Sequence, residues 1–172
     1  MSLSQRPEFA NPVQRETHYK LAEYLSELFE DAYHDTETHH FYVRYGSTVL
    51  EISNEPFGPE DSVVTIMAYC VQNVKLEESL MVSLLELNHH IPFGAFSVVG
   101  NDVFFSHSLF GRTLSRPSLL NAISAVATFS DDYDERIVAR YGGQTALERI
   151  RDTGGFRRRA AQQGGQGGRR RK

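Results

Sequence analysis

The chain has 172 residues, 40% hydrophobic and 23% charged, a length and composition that suit one domain able to bury its own core. A single cysteine excludes an internal disulfide, and no apolar run approaches the roughly 20 residues that cross a bilayer as a helix. The net charge of −4 conceals a division: seven of the 18 basic residues lie after Gly155 with no acid among them, which leaves 11 basic against 22 acidic residues before it, or −11. The opening MSLSQRPEFANP lacks the basic, apolar and small-residue order of a signal peptide, so the expectation is a cytoplasmic protein.

Residues 1–10 read as a flexible start. Asn11-Pro12 then opens a helix, because Asn is a favoured N-cap and Pro is tolerated in the first turn. Val13, Leu21, Tyr24, Leu25, Leu28 and Phe29 recur at helical intervals and predict an end near Tyr33. Residues 39–45 and 48–52 are β-rich runs joined by Gly46-Ser47, which suits a hairpin turn. In the first run His39, Phe41, Val43 and Tyr45 share one face, while His40, Tyr42 and Arg44 take the other. Residues 54–61, with two prolines and a glycine, read as a loop. Residues 63–71 are apolar on both faces and suit a central strand, although periodicity alone does not separate that from a buried helix.

From Glu77, a stripe of Leu80, Leu84, Leu87 and Ile91 predicts a second helix, ended by Pro92, which drives the residue before it out of the helical region. Two apolar strands follow, residues 93–99 and 103–109, turned by Gly100-Asn101-Asp102. Ser115-Arg116-Pro117-Ser118 reads as a capped helix start, with Leu119, Ile123 and Val126 on the buried face. The helix extends toward Arg140, a bend is expected at Asp131, Asp132, Asp134 and Glu135, and Gly142-Gly143 ends it. A helical turn is predicted over residues 145–151. Beyond Gly154 the Gly, Gln and Arg composition offers too little apolar surface to offset ordering entropy. The division is a flexible start at 1–10, a domain at 11–152 and a disordered basic tail at 153–172. The order α-β-β-β-α-β-β-α defines an α+β fold, an antiparallel sheet with helices packed on it.

Little in this chain points to catalysis. His39-His40 and His89-His90 are adjacent pairs, and adjacent strand or helix residues diverge too far to chelate one ion. With His107 they lack HxxxH, HxH or CxxC spacing, so neither a metal site nor any other cofactor is expected. Cys70 lies in an apolar run and reads as a small buried hydrophobe. The acidic group at 131–135 lacks the glycine and terminal glutamate of a calcium loop and reads as a solvated helix end. Arg157, Arg158, Arg159, Arg169, Arg170 and Arg171 form a flexible polycation suited to phosphates. Only Phe156 offers a stacking surface there, so the alternative function is a nucleic-acid-associated regulator that uses the tail for weak contact without base-specific readout.

Asn88, Pro92-Phe93-Gly94-Ala95-Phe96, His107-Ser108-Leu109, Gly111, Leu114, the helix start near Pro117 and Asp131-Asp132-Tyr133-Asp134 form an ordered series. In that order they resemble the YbjN-like family, related in fold to the type III secretion chaperones. The resemblance covers residues 76–143, and residues 12–73 agree in helix and strand order. Phe129-Ser130, where small residues are expected, and the Arg-rich tail are departures. The resemblance implies a type III secretion chaperone-like fold, often dimeric, that binds peptides or protein segments without enzymatic activity. No catalytic residues follow from it.

The 19 Phe and Tyr residues bear on where a client or a second copy would sit. Pleat parity puts Val103, Phe105, His107 and Leu109 on one face and Phe104, Ser106 and Ser108 on the other, with Phe96 and Val98 sharing a face of the preceding strand. One face must cover the helices, and the other would expose aromatic surface to a partner. Phe96, Phe104 and Phe110 are the candidate partner-binding residues. Because the tail has almost nothing to bury, removing residues 156–172 is expected to leave the thermal unfolding of the body unchanged while abolishing any salt-sensitive binding of DNA or RNA; a binding curve that survives the deletion assigns that binding elsewhere.

Overall fold

The computed structural model describes residues 9–46, 48–146 and 148, and its longest strand, β4 (Asp61–Gln72), sets the register for most of the others. Val64, Ile66, Ala68 and Cys70 alternate along it, each fully buried, while Val63, Thr65, Met67 and Tyr69 point the other way and stay partly exposed. On one side β3 (Thr48–Phe57) pairs antiparallel with β4, β2 (Phe41–Tyr45) with β3, and the two-residue β1 (Tyr33–His34) with β2. On the other side β6 (Asp102–Phe110) pairs with β4, and β5 (Ala95–Val99) forms the edge against β6. The order is β1-β2-β3-β4-β6-β5, and β7 (Gln144–Thr145) pairs with the end of β4.

Three long helices pack with the sheet among the described residues: α1 (Pro12–Leu28), α2 (Glu78–His90) and α3 (Arg116–Tyr141). The inward rows align across the pairs: Val43 faces Leu50, Leu50 faces Ala68, Ala68 faces Phe105, and Phe105 faces Phe96. These residues join Leu21, Leu25, Leu80, Leu119, Ile123 and Val126 from the helices in one core. The eight principal elements follow the order read from sequence, and Phe105 takes the covered face while Phe104 takes the other.

Several local expectations need correction. α1 stops at Leu28, earlier than Tyr33, because Tyr33 and His34 are drawn into the sheet as β1, and two residues are too few to carry a periodic signal. Residues 54–61 form two strand ends and a short turn, with Pro56 opposite Ser62 and Phe57 opposite Asp61. Pro56 is tolerated because β2 pairs only as far as Ile52, so nothing there requires its missing amide proton. Residues 93 and 94 precede the strand that begins at Ala95. α3 runs without a break through Asp131–Glu135, since Ser130, Ile137 and Tyr141 continue its buried stripe while Asp131, Asp132 and Glu135 lie exposed. Thr145 belongs to β7 and caps the expected helical turn, which begins at Ala146: its hydroxyl accepts from the Glu148 amide and its own amide donates to the Glu148 carboxylate. The basic tail and residues 1–8 lie outside the described residues.

The join of α1 to the sheet is polar at its start. Asn11 caps the helix by accepting from the Gln14 amide at 2.7 Å, and its own amide donates to the carbonyls of Gly58 and Asp61 at 3.1 and 2.9 Å. Gln14 and Asn54 exchange side-chain to backbone bonds of 3.0 and 2.8 Å. Beside them Gly111 donates to the Ser62 carbonyl at 2.7 Å, and its missing side chain is what lets Thr17 and Ser62 close in: a Cβ there would fall on Ser62 Oγ and 2.6 Å from Thr17 Oγ1. Gly111→Ala is therefore expected to overpack this seam and cost about 1–3 kcal/mol, read as a lower midpoint in urea with unchanged slope.

Candidate functional site

All three helices cover the same face of the sheet, so among the described residues the opposite face carries no helix, and its chemistry varies along the strands. At the end formed by β3, β4 and β6, Phe57 and Phe110 are 57% and 55% exposed with ring centroids 5.8 Å apart. The middle is small and polar: Thr65 and Ser108 share a hydrogen bond of 3.0 Å, and Ser53 lies across from Thr65. Toward the other end Tyr69 and Phe104 pack at 4.7 Å, and Tyr33 and Tyr42 at 6.2 Å. Burial pushes the Tyr42 hydroxyl well above its ordinary range, with the neighbouring Glu51 carboxylate adding to the effect. The same carboxylate bonds His40 Nδ1 at 3.0 Å and raises the pKa of that imidazole.

Of the three aromatics singled out by sequence, only Phe110 has a free ring. Phe96 is a correction, for it lies in the core, edge-on to Phe105 at 4.8 Å and to Tyr133 at 5.6 Å. Phe104 is on the open face as parity requires but only 7% exposed, because Tyr69 leans over it. Pleat parity assigns a face and not an exposure, which neighbouring rings decide. Phe57 was missed because its segment reads as a loop; only the exposed pairing with Phe110 brings it forward.

A second apolar surface lies between α2 and the C-terminal half of α3, a groove of about 1040 Å³. Leu80, Leu84 and Leu87 form one wall and Tyr133, Ile137 and Tyr141 the other. Leu85 and Val82 stand at its rim, 69% and 47% exposed. Arg136 and Arg140 lie over the Tyr133 and Tyr141 rings at 5.0 and 5.2 Å, and His89 and His90 complete a polar margin.

Among the described residues, the titratable groups singled out by sequence do not converge in one cleft. Cys70 is fully buried, accepts from the Ser130 hydroxyl at 3.1 Å, and burial pushes its thiol up to about 12. Asp134 is raised to about 6, first by burial and then by Asp131, Glu135 and Glu148, against the opposing bond from the Glu135 amide. His107 is half-buried on the helix-facing side with its pKa lowered by burial, and Phe93 lies 6.0 Å away. His89 and His90 lie exposed at the end of α2, 5.1 Å apart. His39 joins His18 and His34, two residues that sequence spacing did not connect to it. Among the described residues no group of three His, Cys, Asp or Glu is placed to hold a metal ion, and no helix is long and apolar enough to cross a membrane.

The edge strand β5 is guarded by one side chain. Asn88 on α2 accepts from the Phe96 amide at 2.7 Å and donates to the Phe96 carbonyl at 3.0 Å, as a neighbouring strand would. Gly94 makes the approach feasible: its φ of +83° suits glycine, and a Cβ would lie 2.9 Å from two atoms of the Phe105 ring.

These features agree with what comparison with known proteins finds. Residues 16–149 match the family described as T3SS (YopN, CesT) and YbjN peptide-binding chaperone 1, and the chain belongs to that family. Among solved structures, a chain of the ExsC-ExsE complex superposes with a TM-score of 0.56 at 12% identity, covering 72% of this chain and 95% of that one. A chain of the HopA1-SchA chaperone-effector complex gives 0.54 at 11% identity, covering 70% and 96%. The fold is therefore that of the type III secretion chaperones, and the protein is a chaperone-like, peptide-binding module by family. No curated protein matches the chain.

Asn88→Ala removes both bonds to Phe96 at once. It is expected to cost about 1–2 kcal/mol locally and to raise hydrogen exchange in β5 above that in β4. Equal exchange in wild type and variant would mean that Asn88 does not secure the edge.

Proposed function

We propose that the chain is a non-enzymatic cytoplasmic chaperone module that holds an extended client segment across the open face of its sheet. The observation that carries this reading is the exposed Phe57–Phe110 pair beside a strip of small polar residues. Large apolar anchors bordering small side chains suit an extended chain, whose backbone approaches where nothing projects and whose apolar residues meet the rings. Partner binding at Phe110 and at the Phe104–Tyr69 end fits the same open face, with Phe57 added and Phe96 removed. Family membership supports a peptide as client, and one of the two solved structures is described as a chaperone-effector complex.

The module acts as a homodimer in this reading, with the α2–α3 groove as the face a second copy covers. Charge supports a self-complementary contact: α2 carries Glu78 in its first turn and Glu86 along the groove, whose other margin carries Arg136 and Arg140. The Arg-rich tail adds weak nucleic-acid contact on charge alone and is separable by deletion.

The test pairs two variants. Phe57→Ser with Phe110→Ser, both exposed, should leave the thermal melt unchanged and weaken binding to an array of unstructured synthetic peptides by about tenfold or more, the scale of one lost hot spot. Leu85→Glu should leave the fold intact and reduce the mass seen by light scattering from a dimer to a monomer. Undiminished peptide binding by the aromatic double variant would refute the open-face site, and an unchanged mass for Leu85→Glu would refute the groove as the dimer face.

A further inference from the structure

Three histidines from three segments meet at the β1 edge of the sheet. His18 comes from α1, His34 from β1 and His39 from the loop before β2, with ring centroids 5.0, 6.0 and 6.2 Å apart. They pack around Phe41, on which His34 stacks at 4.5 Å and His18 at 5.0 Å, and Phe9 and Tyr19 close the outer side. His18 is 4% exposed, and the buried His34 Nε2 and His39 Nδ1 have no hydrogen-bond partner. An imidazolium must place both of its N–H groups, and this packing offers no acceptor at either atom.

We propose that this histidine cluster is an acid-labile latch, which holds β1 and the loop after it on the sheet at neutral pH and releases them when the rings protonate. The attachments around it determine which piece moves. The start of α1 is fixed independently, by the bonds of Asn11 to Gly58 and Asp61 and of Gln14 to Asn54. β1 has only two paired residues, Tyr33 with Tyr42 and His34 with Phe41, and one loop bond from the Asp35 amide to the His40 carbonyl. His39 itself holds a left-handed backbone, φ +60°, which adds strain to the same loop. β1 is thus the weakest attachment next to the charge that would form.

The facing groups are few. α1 presents His18 and Tyr19, β1 presents His34, the loop presents His39, and β2 contributes the Phe41 ring. Asp35 is the carboxylate nearest His34 and favours its protonation, but it is occupied by the amides of Glu37 and Thr38. His40 bonds Glu51 on the opposite face and is not part of the cluster. Burial, then His34 and His39, lower His18 to about 4, and burial, then His39, lower His34. The unfolded or released segment therefore binds protons that the latched one refuses. Stability of the latch is complete above the ordinary histidine pKa and declines as pH falls from about 6.5 toward 4. His40, raised by Glu51, has the opposite sign and slightly strengthens β2–β3 pairing over the acid range.

Release would bare Phe41 and the outer edge of β2. The test is hydrogen-exchange protection of residues 33–45, corrected for intrinsic rates, at about pH 7.5 and about pH 5. Wild type should lose protection roughly tenfold or more at the lower pH, while α3 stays protected. His18→Phe keeps an aromatic ring in the cluster and His34→Phe keeps the stack on Phe41; each removes one group whose pKa burial lowers and should shrink the loss. Should His18→Phe fail to fold, His34→Phe carries the comparison alone. Equal protection at both pH values in wild type, or an equal loss in wild type and the variants, would overturn the latch.

Discussion

Everything in this molecule depends on β4 being buried on one side only. Its inward row of Val64, Ile66, Ala68 and Cys70 is completely excluded from solvent, while the residues between them keep partial exposure. A one-residue slip would turn that row outward, so the core fixes the register, and the rows of β3 and β6 follow from pairing with it. Placing all three helices on that one face leaves, among the described residues, a broad sheet surface with no helical layer, and the proposed client site rests on that asymmetry before any residue on the open face is considered.

The residues that make the family resemblance legible turn out to be those with little room for change. Gly111 is where α1 and the sheet approach too closely for a Cβ. Gly94 and Asn88 act together, one turning the chain over the Phe105 ring and the other satisfying the exposed backbone of β5. Such positions resist substitution because the constraint is on backbone approach and direction, which few side chains meet. The aromatic positions are constrained more loosely, since an inward Phe needs only volume and an apolar setting.

Regular alternation and helical spacing were readable wherever an element was long and one-sided, as in β4, α2 and α3. The sequence was less informative where tertiary context decides. β1 exists because β2 lends it partners, and the continuation of α3 through its acidic stretch depends on Ser130, Ile137 and Tyr141 finding the core. The extension of β3 through Pro56 depends on β2 being shorter than β3. For the candidate site, parity predicted which face Phe104 takes but not that Tyr69 would shield it, and Phe57 lay in a stretch whose prolines and glycine suggest a loop. Phe96 went astray for a related reason: sharing a register position with Phe105 puts it inward, a fact that only the pairing of β5 with β6 supplies.

The three regions of contact between helices, strands and sheet differ in chemical kind. α3 is held by apolar burial, through Leu119, Ile123 and Val126, and apolar contacts carry no proton dependence. The start of α1 is held by neutral amides of Asn11, Gln14 and Asn54, which do not titrate in the physiological range. β1 is held by rings that can become charged, one of them His18 of α1. A fall in pH thus acts against the sheet's first edge, while Asp134 on α3, raised to about 6 by burial, favours the folded state as it takes up a proton, so the fold can alter one edge without surrendering its core. That separation follows from where the sequence puts its histidines, and from the fact that protonation is costly only where burial has left no acceptor for the new proton.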